Sequence, residues 1–200
     1  GLFVDSNNII YIADTGNARI VALDENEKLY KILGTPESSL IDGELIYAPI
    51  SVCVDSAQRV YCVSRNVNQG MIELSSEGEF WGFFGAVQTV PDFALILQKA
   101  LATKTQKEQM QLTVPTEYSS CDIDATDFIY GTVSTVGTTN VDPEMFVHRL
   151  NPLGNDILKR NGFFAPMGDV NYRIDIAEDK YEPSQLTDIC VRDSGIYSVL

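Results

Sequence analysis

The chain repeats itself at intervals of about fifty residues, and no other feature limits its fold so strongly. The stretch from Gly1 to Gly34 returns as Ile50 to Gly85, with Asp5 matching Asp55, Tyr11 matching Tyr61, Leu23 matching Leu74, Leu29 matching Phe80 and Gly34 matching Gly85. A third copy with a longer middle runs from Cys121–Asp124 through Phe128–Tyr130 to His148–Gly154 and Asp156–Gly162. A fourth begins at Asp188 and runs to Leu200. Self-similarity of this kind means a supersecondary unit that buries its faces only against copies of itself.

Each copy carries short runs rich in Ile, Val, Leu and Tyr. In the first they are Leu2–Val4, Ile9–Ala13, Arg19–Leu23 and Leu29–Leu33, separated by clusters of Asp, Asn, Ser, Thr, Gly and Glu. Asn, Asp and Gly accept turn dihedrals that β-branched residues resist. Loops this short join only antiparallel neighbours, because a parallel crossover needs a dozen or more residues. A four-stranded antiparallel meander with apolar residues on both faces is the form of a propeller blade.

The run IYIADTGNARIVALD resembles the signature of the NHL repeat, with Asp14, Gly16, Asn17 and Arg19 in the family's positions. The second copy keeps the strands but puts Ser64–Gly70 in place of that loop, and the third puts Ser134–Glu144 there. The resemblance implies a six-bladed β-propeller, which at this period takes roughly 270 to 330 residues. The 200 residues would then form about three and a half four-stranded blades, all-β, with both ends truncated. The repeats fall at about 1–34, 50–85, 115–162 and 186–200. A free-standing open arc would leave two blade faces uncovered, and the alternative to a larger propeller is a complete small domain of three sheets with an unusual closure.

The formal net charge of −14 bears on partners. Nucleic-acid binding relies on Lys and Arg displacing counterions from phosphate, so an acidic chain without a basic face argues against it. An acidic surface suits solubility, a cation or a basic partner. The cysteines Cys53, Cys62, Cys121 and Cys190 form no CxxC pair and no zinc spacing. Cys53 and Cys190 take the inner-strand position where Phe3 stands in the first copy, so they read as small buried hydrophobes. The competing reading is a Cys53–Cys62 bridge across neighbouring strands. No apolar run approaches the roughly twenty residues that cross a bilayer. The family's surface and extracellular members tilt localisation that way by resemblance alone.

In an up-and-down blade the 1–2 and 3–4 connections share one end, and the 2–3 connections and inter-blade links share the other. Extra length gathers at the second end, in 35–48, 64–70, 86–114, 134–144 and 163–185. Loops on a rigid scaffold carry recognition. The insert 86–114 predicts one helix near 92–110, capped by Asp92, with Phe93, Ile96, Leu97, Ala100 and Leu101 on one face and Lys99, Lys104 and Lys107 toward the other. Its apolar stripe would dock on the propeller rim or serve as a lid or docking helix.

Catalytic chemistry finds little support. Asp5, Asp55 and Asp124 recur once per copy and invite a calcium-type site, as in the gluconolactonase-like propellers that the fold resembles. Their place in the 1–2 turn reads instead as turn capping, and Asp14 with Asn17 and Arg19 reads as a loop-stabilising network. His148 is the single histidine, too few for a zinc site of the amidating-lyase kind, and there is no GxSxG elbow. The acidic loops Glu37–Glu44 and Asp175–Glu182 lack EF-hand order.

The expectation is therefore a non-catalytic propeller that recognises a protein, peptide or glycan, without a cofactor. Arg65, Asn66 and Asn68 are the candidate contacts. The alternative is a metal-dependent hydrolase or lactonase of the gluconolactonase-like type, using a divalent cation such as Ca2+ and completed by further blades.

Overall fold

A computed structural model describes residues 1–37, 46–85, 117–134, 147–158, 174–175, 180–181, 186–192 and 197–199. The first repeat is a four-stranded antiparallel sheet, β1 (Leu2–Val4), β2 (Ile10–Asp14), β3 (Arg19–Leu23) and β4 (Leu29–Leu33), in sequence order. The second repeat folds the same way as β5 (Pro49–Val54), β6 (Val60–Ser64), β7 (Met71–Leu74) and β8 (Phe80–Phe84). The third pairs β9 (Glu117–Ile123), β10 (Ile129–Ser134) and β11 (Val147–Leu150), and an isolated bridge joins Leu150 to Asp156. Two short pairs follow, β12 (Ile174–Asp175) with β13 (Lys180–Tyr181), and β14 (Ile189–Val191) with β15 (Tyr197–Val199). The described chain is thus all-β, built on three antiparallel sheets of three or four strands that resemble propeller blades. The fourth strand expected in the third repeat is reduced to that bridge among the described residues. The helical insert near 92–110 lies outside them.

The registers align the repeats residue by residue. One cross-sheet row runs Leu2–Ile12–Val21–Ile32 in the first sheet, Val52–Cys62–Ile72–Phe83 in the second and Cys121–Gly131–His148 in the third. In the second sheet this row packs back on the first, with Tyr11, Ala13, Ile20, Ala22 and Leu33 as its partners. The opposite face of the second sheet sends Cys53, Tyr61, Val63 and Met71 into a separate cluster with Tyr118, Cys121, Ile129 and Leu150 of the third. A strand covered on both sides has no polar face to show, which is why the β5 and β6 sequences are not alternating. The face of the first sheet that bears this row is open. Leu2 is 68% exposed, Val4 49% and Ile32 47%.

The sheets share one hairpin design. Asp5, Asp24, Asp55, Ser75, Asp124 and Asn151 each accept backbone N–H bonds from the residues two and four positions on, at 2.8–3.2 Å. The residue three positions on bonds back to the first carbonyl and takes a left-handed backbone: Asn8, Glu27, Gln58, Gly78, Asp127 and Gly154. This is a type I turn followed by a bulge residue, where glycine fits best. Four of the six are nevertheless not glycine, and two have a visible reason. Gln58 donates to Asp5 Oδ2 at 3.2 Å, and Asp127 accepts the Ser56 N–H at 2.9 Å, so both side chains tie one sheet's turn to the sheet before it.

Glu27 makes no such tie, which isolates the backbone term. Glu27→Gly is expected to raise the unfolding free energy by about 0.5–1 kcal/mol, and Gly78→Ala, at φ +88, to lower it by about 1 kcal/mol or more. Urea titration of both variants checks the pair, and the same sign for both would refute the strain argument.

Candidate functional site

The loop after β6 is the described part of the surface at which the sequence places recognition. Arg65, Asn66 and Asn68 are all exposed, and between them Val67 is buried in the core between the first two sheets. That inward anchor turns its neighbours outward. Asn66 adopts a left-handed backbone at φ 62, which asparagine tolerates better than most residues. The loop base is held by the inter-blade link: the Arg65 N–H donates to the Ala48 carbonyl at 3.0 Å, and the Ala48 N–H donates to Ser64 Oγ at 2.9 Å. The neighbouring loop of the first sheet reaches the start of β5, directly after the link, with Thr15 Oγ1 donating to the Pro49 carbonyl at 2.6 Å. The 2–3 loops and the link therefore meet at one end of the sheets. Of the other segments assigned to this surface, 38–45, 86–114, 135–144 and all of 163–185 but 174–175 and 180–181 lie outside the described residues.

In the first sheet the corresponding loop is a single 3-10 turn, Thr15–Asn17. Asp14 accepts two bonds from Asn17 Nδ2, both at 2.9 Å, and one from Arg19 Nε at 2.8 Å. The bonds from Arg19 and Asn17 hold the Asp14 carboxyl below the usual carboxylate range. The left-handed residue here is Ala18, at φ 51, while a Cβ on Gly16 would meet nothing within 4 Å. The four signature residues thus form a closed polar loop with its acid already engaged.

The recurring acids sit at the far end of the sheets. Asp55 is 3% exposed; beyond its turn bonds, it accepts from Arg59 Nε at 2.6 Å and from the Tyr61 hydroxyl at 3.3 Å. Asp124 accepts from the Tyr130 hydroxyl at 3.0 Å. Burial opposes its charge, but hydrogen bonds from Thr126, Phe128 and Tyr130 lower its pKa overall. Burial and the nearby Asp5 charge push the Tyr11 phenol up to about 12. Among the described residues, no group of three or more His, Cys, Asp or Glu side chains is arranged to hold a metal ion.

His148 lies in β11, buried, with Nδ1 2.8 Å from Asp156 Oδ2 and its ring edge-on to Tyr118. It fills the row position of Ile72, so it is a hydrogen-bonded core residue. Nε2 has no hydrogen-bond partner among the described residues.

Two cysteine expectations change. Cys190 is exposed, whereas Cys53 is fully buried. The reason is directional: this register position faces the next sheet along the chain, and the third sheet supplies that cover for Cys53. A Cys53–Cys62 bridge is excluded because neighbouring pleat positions put Cys53 in the core toward the third sheet and Cys62 in the core toward the first. All four cysteines are free thiols.

Sequence reading missed the polar ladder along the first strands. Ser51 Oγ lies 3.2 Å from Ser120 Oγ, which donates to Asp188 Oδ1 at 2.6 Å. Asp122, in the register position of Phe3 and Cys53, accepts the Val191 N–H at 2.7 Å. Burial and the Asp188 charge raise its pKa, although the bonds from the Val191 and Ile123 N–H groups oppose that rise. Only a register comparison reveals this ladder, because its bonds join residues about seventy positions apart in the chain.

No protein-family model matches the chain. No match is found among curated proteins. Among solved structures, a streptogramin B lyase is similar with a TM-score of 0.45 and 12% identity, over 78% of this chain and 38% of that one.

Proposed function

We propose that the chain is part of an NHL-type propeller, about three and a half blades of six, acting as a non-catalytic interaction module for a protein, peptide or glycan. The observation that carries this reading is the geometry after β6. Arg65, Asn66 and Asn68 stand exposed on a loop pinned by buried Val67 and by two hydrogen bonds to the link. A polar surface held on a rigid base binds without losing much conformational entropy. The open apolar row Leu2–Ile12–Val21–Ile32 supports further blades, since the same row in the second sheet is buried against its neighbour.

The test is binding to immobilised basic-peptide and glycan arrays. Arg65→Ala combined with Asn66→Gly and Asn68→Ala removes the side chains while keeping the left-handed backbone. Binding is expected to weaken tenfold or more, with the urea midpoint unchanged and no response to a chelator. Equal binding by this variant would sink the assignment. A hydrolase or lactonase of the gluconolactonase-like kind would instead lose thermal stability on chelation.

A further inference from the structure

The buried thiols of Cys53 and Cys121 belong to different sheets yet share one core cluster. Strands β5 and β9 run alongside each other there. Ser51, two residues before Cys53 and on the same face of β5, holds Cys121 by three contacts. Its Oγ accepts the Cys121 N–H at 3.2 Å, donates to the Cys121 carbonyl at 3.2 Å, and lies 3.6 Å from Cys121 Sγ. Cys53 is fully buried, and Cys121 is 5% exposed. The neighbouring Cys121 thiol, followed by burial, pushes the Cys53 thiol well above its ordinary pKa. Cys62 faces the opposite core, and Cys190 is exposed in β14.

We propose that Cys53 and Cys121 are an oxidation site, forming a disulfide that staples the second sheet to the third when the chain meets a small-molecule disulfide of the glutathione class. The Cys121 thiolate, on the less enclosed of the two residues, attacks one sulfur of the small disulfide. A mixed disulfide forms and one small thiol leaves with the electron pair. Cys53 then gives up its proton and attacks the Cys121 sulfur, and the second small thiol leaves. Two protein S–H bonds and one small disulfide become one protein S–S bond and two small thiols, so atoms and electrons balance. The high pKa of Cys53 and its enclosure make the second step slow in the folded chain, and oxidation is fastest while the two sheets are coming together.

The experiment refolds the chain in oxidised and reduced glutathione, collects the folded monomer, alkylates free thiols under denaturing conditions and maps the peptides by mass spectrometry. The expected result is a Cys53–Cys121 linkage, with Cys62 and Cys190 alkylated. Alkylation of all four cysteines, or any linkage that includes Cys62 or Cys190, overturns the proposal. Cys121→Ser should leave Cys53 alkylated or carrying a single glutathione. A protein disulfide to Cys53 in that variant would also overturn it.

Discussion

Replacing Asp55 with alanine is expected to lower the unfolding free energy by about 3–5 kcal/mol, read as a fall in the urea midpoint. Asp55 is 3% exposed, and its two oxygens have separate duties. Oδ1 accepts the N–H groups of Ala57 and Arg59 at 3.0 and 2.8 Å, closing the turn. Oδ2 accepts from Arg59 Nε and the Tyr61 hydroxyl, and Arg59 also reaches Glu73 at 3.4 Å. Alanine would leave the half-buried Arg59 Nε and two amides short of an acceptor at once, with the Tyr61 hydroxyl left only its longer bond to Glu73 Oε1 at 3.4 Å. Asp24 closes its turn in the same way, at 2.9 Å for both bonds, but its partners are exposed. Asp24→Ala should cost only about 1 kcal/mol, the usual loss of a cap. Asp55→Asn keeps an acceptor for the turn while removing the charge, and should fall between the two. Equal losses at Asp24 and Asp55 would show that the buried network adds nothing to the turn.

The second large effect is expected at Gly131. A Cβ there would lie 2.6 Å from Met71 Cε and from Tyr118 Cε1. Gly131 occupies the row position of Ile12 and Cys62, so its missing side chain is the space into which Met71 and Tyr118 pack. The methionine end has rotamers to spare, but the tyrosine ring does not. Its hydroxyl donates to the Gly85 carbonyl at 2.6 Å, and its ring meets His148 edge-on. Gly131→Val should therefore cost about 3 kcal/mol, at the upper end of overpacking. Adding Met71→Ala should relieve only part of that loss, because the ring clash remains. Gly16→Ala is the control: it meets nothing within 4 Å and should stay within about 0.5 kcal/mol of the parent. Complete rescue by Met71→Ala would mean that the ring moves.

Local signals in the sequence were enough for the strands of the first repeat. The expected runs Leu2–Val4, Arg19–Leu23 and Leu29–Leu33 are strands β1, β3 and β4, and β2 is displaced by one residue. The turn role of Asp5, Asp55 and Asp124 followed from their recurrence. The same module at Asp24, Ser75 and Asn151 escaped notice because three residue types share one acceptor geometry. What could not be read was the pairing between sheets. Nothing local distinguishes Cys53, which meets Cys121, from Cys62, which meets the first sheet, although pleat parity separates them once the register is known. The candidate contacts Arg65, Asn66 and Asn68 were legible as departures from the first copy's loop. The burial of Val67, which turns them outward, was not.

The shared hairpin design divides the labour between the two rims. At one rim, six turns close the 1–2 and 3–4 connections of the three sheets, each through a single acceptor side chain and one left-handed residue. The opposite rim adds its own ties, from Thr15 to Pro49 and through buried Val67, while its connections grow from the short turn at Thr15–Asn17 to the loop ending at Gly70. Evolution, or an engineer grafting a peptide between Gln69 and Gly70, can rewrite that rim and leave the scaffold as it was.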